Sequence, residues 1–128
     1  MRNLVFSLPL VLIPAMALAD GFHTRDLGSG GSPQECMDRA RQAIQTYAQQ
    51  NGTPNATVNE GSWSVHGFDF LPGNVDVQIA CPYRDNFTSI VLLTAHSSGE
   101  RDDRVAVVDG IAALWDSIGQ GGFVPGGK

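Results

Sequence analysis

Three histidines and a scatter of carboxylates are the groups in this chain with chemistry to offer. His66 and His96, with Asp69 or Asp76, are of the types that hold zinc or exchange protons. To act together they would have to gather at one edge of a sheet. No HxH or HExxH spacing brings any two of them together, so surface imidazoles are the expectation. His23 raises a separate possibility, because a free amino terminus followed by a histidine at the third position chelates copper. It falls fourth after the cleavage site expected below, so that geometry fails unless Asp20 is trimmed. Gly28-Ser-Gly-Gly-Ser32 lacks the strand–turn–helix context of a serine nucleophile elbow. Asp102, Asp103 and Asp109 lack the alternating oxygen ligands and closing glutamate of a calcium loop. No metal and no cofactor is expected. An enzyme using His66, His96 and nearby carboxylates, metal-dependent or hydrolytic, stands as the alternative reading.

The two cysteines, Cys36 and Cys81, offer a different chemistry. They are too far apart for a CxxC redox motif, and a lone distant pair makes a poor zinc site. The compartment decides what they do. Met1 to Ala19 has an early positive charge at Arg2, a long apolar run and a closing Ala17-Leu18-Ala19, the small-x-small pattern of a cleavable secretory signal. Pro9 and Pro14 interrupt the run, which is short for a bilayer span of about 20 residues, so no membrane anchor is expected. An exported chain, periplasmic or extracellular, favours a disulfide, and two cysteines permit one intramolecular pairing. Closing a loop of this length stabilises the fold by roughly 4 kcal/mol in the chain-entropy account. The formal net charge of −5 argues against nucleic acid and anionic membranes as partners.

The elements that must position these residues follow from periodicity. Ser32, Pro33 and Glu35 form a capping box, and Cys36, Met37, Ala40, Ala43, Ile44, Tyr47 and Ala48 recur at helical spacing. Asp38, Arg39, Arg41, Gln42, Gln45 and Gln49 take the outer face. Asn51-Gly52 ends the helix, with Gly52 expected in a left-handed conformation. A strand carrying Trp63 and Val65 changes phase before Phe68 and Phe70, which predicts a bulge near His66-Gly67. Leu71-Pro72-Gly73-Asn74 is a turn. Val75, Val77, Ile79, Cys81 and Tyr83 then alternate on one face of a second strand. Phe87 to His96 reads as a third strand, apolar on both faces. Val105, Val108, Ile111, Ala112, Trp115 and Ile118 mark a closing helix, which Gly110 weakens by about 1 kcal/mol and Gly119 stops. Residues 20–31 read as a flexible tail, 32–119 as one domain and 120–128 as a disordered Gly-rich tail.

The predicted fold is therefore α+β, a two-layer sandwich. Two helices pack on one face of a three-stranded antiparallel meander, in the order α-β-β-β-α. Cys36-Met-Asp-Arg-Ala-Arg and Val77-Gln-Ile-Ala-Cys81 resemble the pattern of small exported bacterial proteins of unknown function with a helix-to-strand disulfide. The resemblance spans Ser32 to Gly119. It implies the same fold, export and disulfide, and no active site.

The apolar third strand has a consequence. Either Ile90 and Leu92 or Val91 and Leu93 must face away from the helices, beside Asp76 and Gln78. Contiguous exposed apolar surface tends to be interaction surface. The functional expectation is a non-enzymatic exported module binding a protein or a small ligand through that face.

Overall fold

The computed structural model describes residues 20–119, so the expected signal peptide and the Gly-rich tail lie outside the described residues. Two helices cover one face of a five-stranded antiparallel sheet. The elements are β1 (Gly21–Asp26), α1 (Pro33–Asn51), β2 (Gly52–Glu60), β3 (Ser64–Phe70), β4 (Val75–Ala80), β5 (Leu92–Ser97) and α2 (Arg101–Ser117). The sheet order is β1-β5-β4-β3-β2. The α+β class and the single helical layer are as expected, but the sheet has five strands where the sequence predicted three.

Both additional strands lie at the edges, where a strand has only one neighbour and need not alternate strongly. β1 replaces the predicted flexible tail. Its one large apolar residue, Phe22, points away from the helices, so the strand carries no inward stripe. β2 follows α1 directly, despite Pro54. An edge strand tolerates proline, and the register slips between Gly52 and Thr57 where the proline sits. β5 begins at Leu92 rather than Phe87. Ahead of it, the chain from Thr88 to Val91 pairs irregularly with Leu27 to Gly31 through backbone hydrogen bonds, which prolongs the β1–β5 contact.

α1 is built as its sequence dictates. Ser32 Oγ accepts from the Glu35 amide at 3.2 Å, and Glu35 Oε2 accepts from the Ser32 amide at 2.8 Å, closing the capping box. Its end differs from expectation. Gly52 is extended, not left-handed. Glycine is needed there for space, because a Cβ would stand 2.4 Å from the Ala48 carbonyl oxygen. The predicted bulge in β3 falls between Gly67 and Phe70, with Asp69 at φ 61°. A Cβ on Gly67 would enter the Phe70 ring.

The core lies between the layers. Cys36, Ile44 and Tyr47 of α1 and Val108, Ile111 and Trp115 of α2 meet Val65, Phe70, Val77, Ile79 and Leu93 of the sheet. Tyr83, expected on that inner face, lies past the end of β4 and is exposed. Two contacts lock the helices together. Arg39, assigned to solvent from its position on the wheel, stacks on Trp115 at 3.9 Å. It also donates to the Trp115 carbonyl through Nε and Nη2. A cation thus meets the carbonyl end of α2, where the helix dipole favours one. Gly110 faces Tyr47, with a Cβ position 2.6 Å from the ring. The glycine that weakens α2 in isolation lets the helices approach. Tyr47 in turn donates to the Leu71 carbonyl at 2.9 Å, and burial pushes its phenol above the usual tyrosine range.

Arg104, buried at the start of α2, donates to the Ser97 and Gly99 carbonyls and to Ser97 Oγ, fixing the β5–α2 turn.

Gly110→Ala separates two effects. Helix propensity alone predicts a gain of about 1 kcal/mol. Overpacking against Tyr47, at a cost of about 1–3 kcal/mol, outweighs that gain and leaves a net loss of up to about 2 kcal/mol. Urea denaturation reads the difference, and a raised midpoint would show that the helices part freely.

Candidate functional site

The sheet presents its other face without a helix. Register places Phe22 and Thr24 of β1, Leu92, Thr94 and His96 of β5, and Asp76 and Gln78 of β4 on it. His66 and Phe68 of β3 share that face. The alternation left open by the sequence is thereby resolved. Val91 and Leu93 are fully buried, whereas Ile90 and Leu92 are 49% and 38% exposed. Leu92 shares its face with Asp76 and Gln78. Phe22, at 71% exposure, is the most exposed of the large apolar side chains described. Sequence reasoning missed it because it read that segment as a tail. Phe22 and Thr24 alternate with His23 and Arg25, which gives no apolar stripe to mark a strand.

His66 and His96 lie on the open face, in the body of the sheet rather than at an edge. Two strand spacings and two residues separate them, roughly 12 Å between Cα atoms. Their imidazoles are engaged apart from one another. His66 Nε2 bonds Ser64 Oγ at 2.9 Å, and His96 Nε2 lies 4.0 Å from Asp20 Oδ2. His23 is opposite Ala95, on the helix side, and joins neither. Among the described residues no three His, Cys, Asp or Glu side chains converge as metal ligands would. Asp69 contributes through its backbone, its amide donating to Asp76 Oδ1 at 3.1 Å.

What these residues do form is a depression of about 290 Å³. Phe22 and His96 stand on one side, with ring centroids 4.7 Å apart. His66 and Phe68, stacked at 6.3 Å, stand on the other. Asp76, Gln78 and Thr94 line it between them. Such a basin, lined by aromatic, apolar and polar side chains together, suits recognition by contact. A second depression, about 240 Å³, lies among Trp63, Pro82 and Tyr83.

The cysteines sit on the opposite layer. Cys36 and Cys81 form the predicted disulfide, with 6.0 Å between Cα atoms, and both are fully buried. No helix among the described residues is long and apolar enough to cross a membrane. No protein-family model, characterised protein or solved structure matches the chain.

The facing of β5 has a direct test. Leu92→Lys leaves stability within about 0.5 kcal/mol, the usual range of a surface change. Leu93→Lys buries a charge in the core and costs more than about 4 kcal/mol. Thermal melts of the two variants should differ accordingly, and equal losses would refute the assignment of faces.

Proposed function

We propose that this protein is an exported, disulfide-stabilised binding module without catalytic activity, and that its contact surface is the helix-free face of the sheet. The observation that supports this most directly is the asymmetry of the sheet. One face is sealed by α1 and α2, while the other leaves Phe22 and Leu92 in solvent beside an ordered set of histidine, aspartate and glutamine side chains. Exposing such apolar surface has a cost unless a partner covers it. The buried disulfide is compatible with an oxidising compartment and with the secretory pattern of residues 1–19. Cleavage after Ala19 leaves Asp20 as the first residue, directly ahead of β1.

Two measurements test the proposal. Mass spectrometry of protein exported with its own leader should give a chain starting at Asp20; retention of the leader would remove export from the reading. A photo-cross-linking residue at position 92 should form a discrete adduct in the exporting cell, whereas the same residue at exposed Gln45 on α1 should not. No adduct at 92, or equal adducts at both positions, would count against the open face as the contact surface.

A further inference from the structure

Resting on the reading of the open face as a contact surface, the geometry points to the chemistry of its occupant. We propose that the depression between Phe22 and Phe68 receives the guanidinium of an arginine presented by a partner protein.

Charge on the open face favours a cation. The five strands carry one Lys or Arg residue, Arg25, and it faces the helix layer, where it pairs with Asp109 at 3.1 Å. The open face therefore has carboxylates and no Lys or Arg among its described strand residues. Asp20 stands beside His96, Asp26 ends β1 opposite Leu92, and Asp76 lies at the base of the depression. Asp76 Oδ1 is held by the Asp69 amide, and no hydrogen bond or ion pair among the described residues engages Oδ2. A carboxylate fixed by one oxygen with the other free is pre-set to accept a charged donor.

Shape and surface favour a planar cation on a long side chain. Phe22 and Phe68 stand about three strand spacings apart, or roughly 14 Å, with Asp76 between them. That span exceeds one ring and suits a long side chain laid along the base with its head against an aromatic face. Guanidinium is planar, weakly hydrated and stacks on aromatic rings while its N–H groups reach acceptors in the same plane. The Gln78 and Thr94 side chains supply further acceptors beside Asp76. A lysine ammonium would reach the carboxylate but lose the planar stacking. The depression is also open and small, so it fits one anchoring side chain from a larger surface better than an enclosed small molecule.

The test uses the disulfide-bonded domain, with amide chemical shifts as readout. The probes are the peptide Gly-Ser-Arg-Ser-Gly, its Lys and citrulline counterparts, a Phe counterpart and guanidinium chloride. The Arg peptide should shift the amides of Phe22, Phe68, Asp76 and Thr94, and bind about three- to tenfold more tightly than the Lys or citrulline peptides. Asp76→Asn, which keeps the acceptor for the Asp69 amide, and Phe22→Ala should each weaken it by about three- to tenfold with the remaining spectrum unchanged. Equal binding of Arg and citrulline peptides would overturn the cation. Guanidinium chloride binding as tightly as the peptide would overturn the protein-borne arginine in favour of a small cation. Binding of the Phe peptide alone would overturn the arginine and leave the open face as a contact surface. No shift on this face with any probe would overturn the arginine, and position 92 cross-linking separately decides the face.

Discussion

The Cys36–Cys81 bond is the constraint on which the rest of the architecture depends. It joins the first turn of α1 to the residue that follows β4, the central strand of the sheet. Around it the chain is packed without slack. Gly30 is buried against the bond, and a Cβ there would stand 2.7 Å from Cys36 Sγ and 2.9 Å from Val91. The connection from β1 to α1 therefore has to pass through that point. Its backbone bonds to Thr88 and Val91 then hold β1 beside β5. The crosslink thus acts beyond the helix it begins. By fixing where the β1–α1 connection runs, it fixes the edge strand that presents Phe22 on the far side of the sheet. Chain-entropy stabilisation of roughly 4 kcal/mol is large beside the net stability of a domain this small.

The same constraint explains why the helix layer is occupied with structure. α1 covers β2 and β3, α2 covers β1 and β5, and the two meet along Gly110–Tyr47 and Arg39–Trp115. The Arg39 guanidinium is drawn below the usual arginine range by its burial, with Asp116 acting in the opposite sense. Arg41, by contrast, is held above its ordinary range by hydrogen bonds to Glu60 and Asp38 at the rim of the layer. Each basic residue of α1 therefore has a structural task. Little on the helical side is left over to recognise a ligand, whereas the strands' outward residues have no such duty.

What the sequence makes legible follows from how strongly each element is patterned. α1 announces itself through a capping box and an apolar stripe, and β4 through strict alternation, because both are buried along a whole face. These two elements carry the cysteines, so the disulfide follows from patterns alone. β1 and β2 have weak patterns for the same physical reason that they are edges: they bury little. Pro54 in β2 and the Gly/Ser run after β1 signal loops locally, and only pairing with β3 and β5 overrides them. The face of the site was legible in part. Asp76 and Gln78 follow from counting along β4, whereas counting along β5 leaves Leu92 and Leu93 as alternatives that only burial in the fold separates. Phe22 does not follow from counting, since its partner His96 is distant in the chain and periodicity carries no information about which strands become neighbours. The role of Gly110 was invisible for a similar reason, because its value lies in Tyr47, on the other helix.

An open sheet face is not in itself unusual, since antiparallel sheets commonly leave one side to water. What distinguishes this one is the contrast between its strands. Thr24 and Thr94 meet across β1 and β5 at 3.2 Å, and Thr57 and Asn59 lie outward on β2, all ordinary for a solvated surface. Phe22 and Leu92 are exposed and Phe68 is half-buried on the same face, and Phe22 and Phe68 flank one depression. Here the aromatic rings stand at opposite sides of Asp76 and Gln78, and the aspartate is itself oriented by the bulge at Asp69. A bulge that re-aims a residue while the strand pairing continues on both sides is a common device next to binding sites. The irregularity in β3 and the carboxylate it steadies therefore belong to one arrangement, built on the face that the helices and the disulfide leave free.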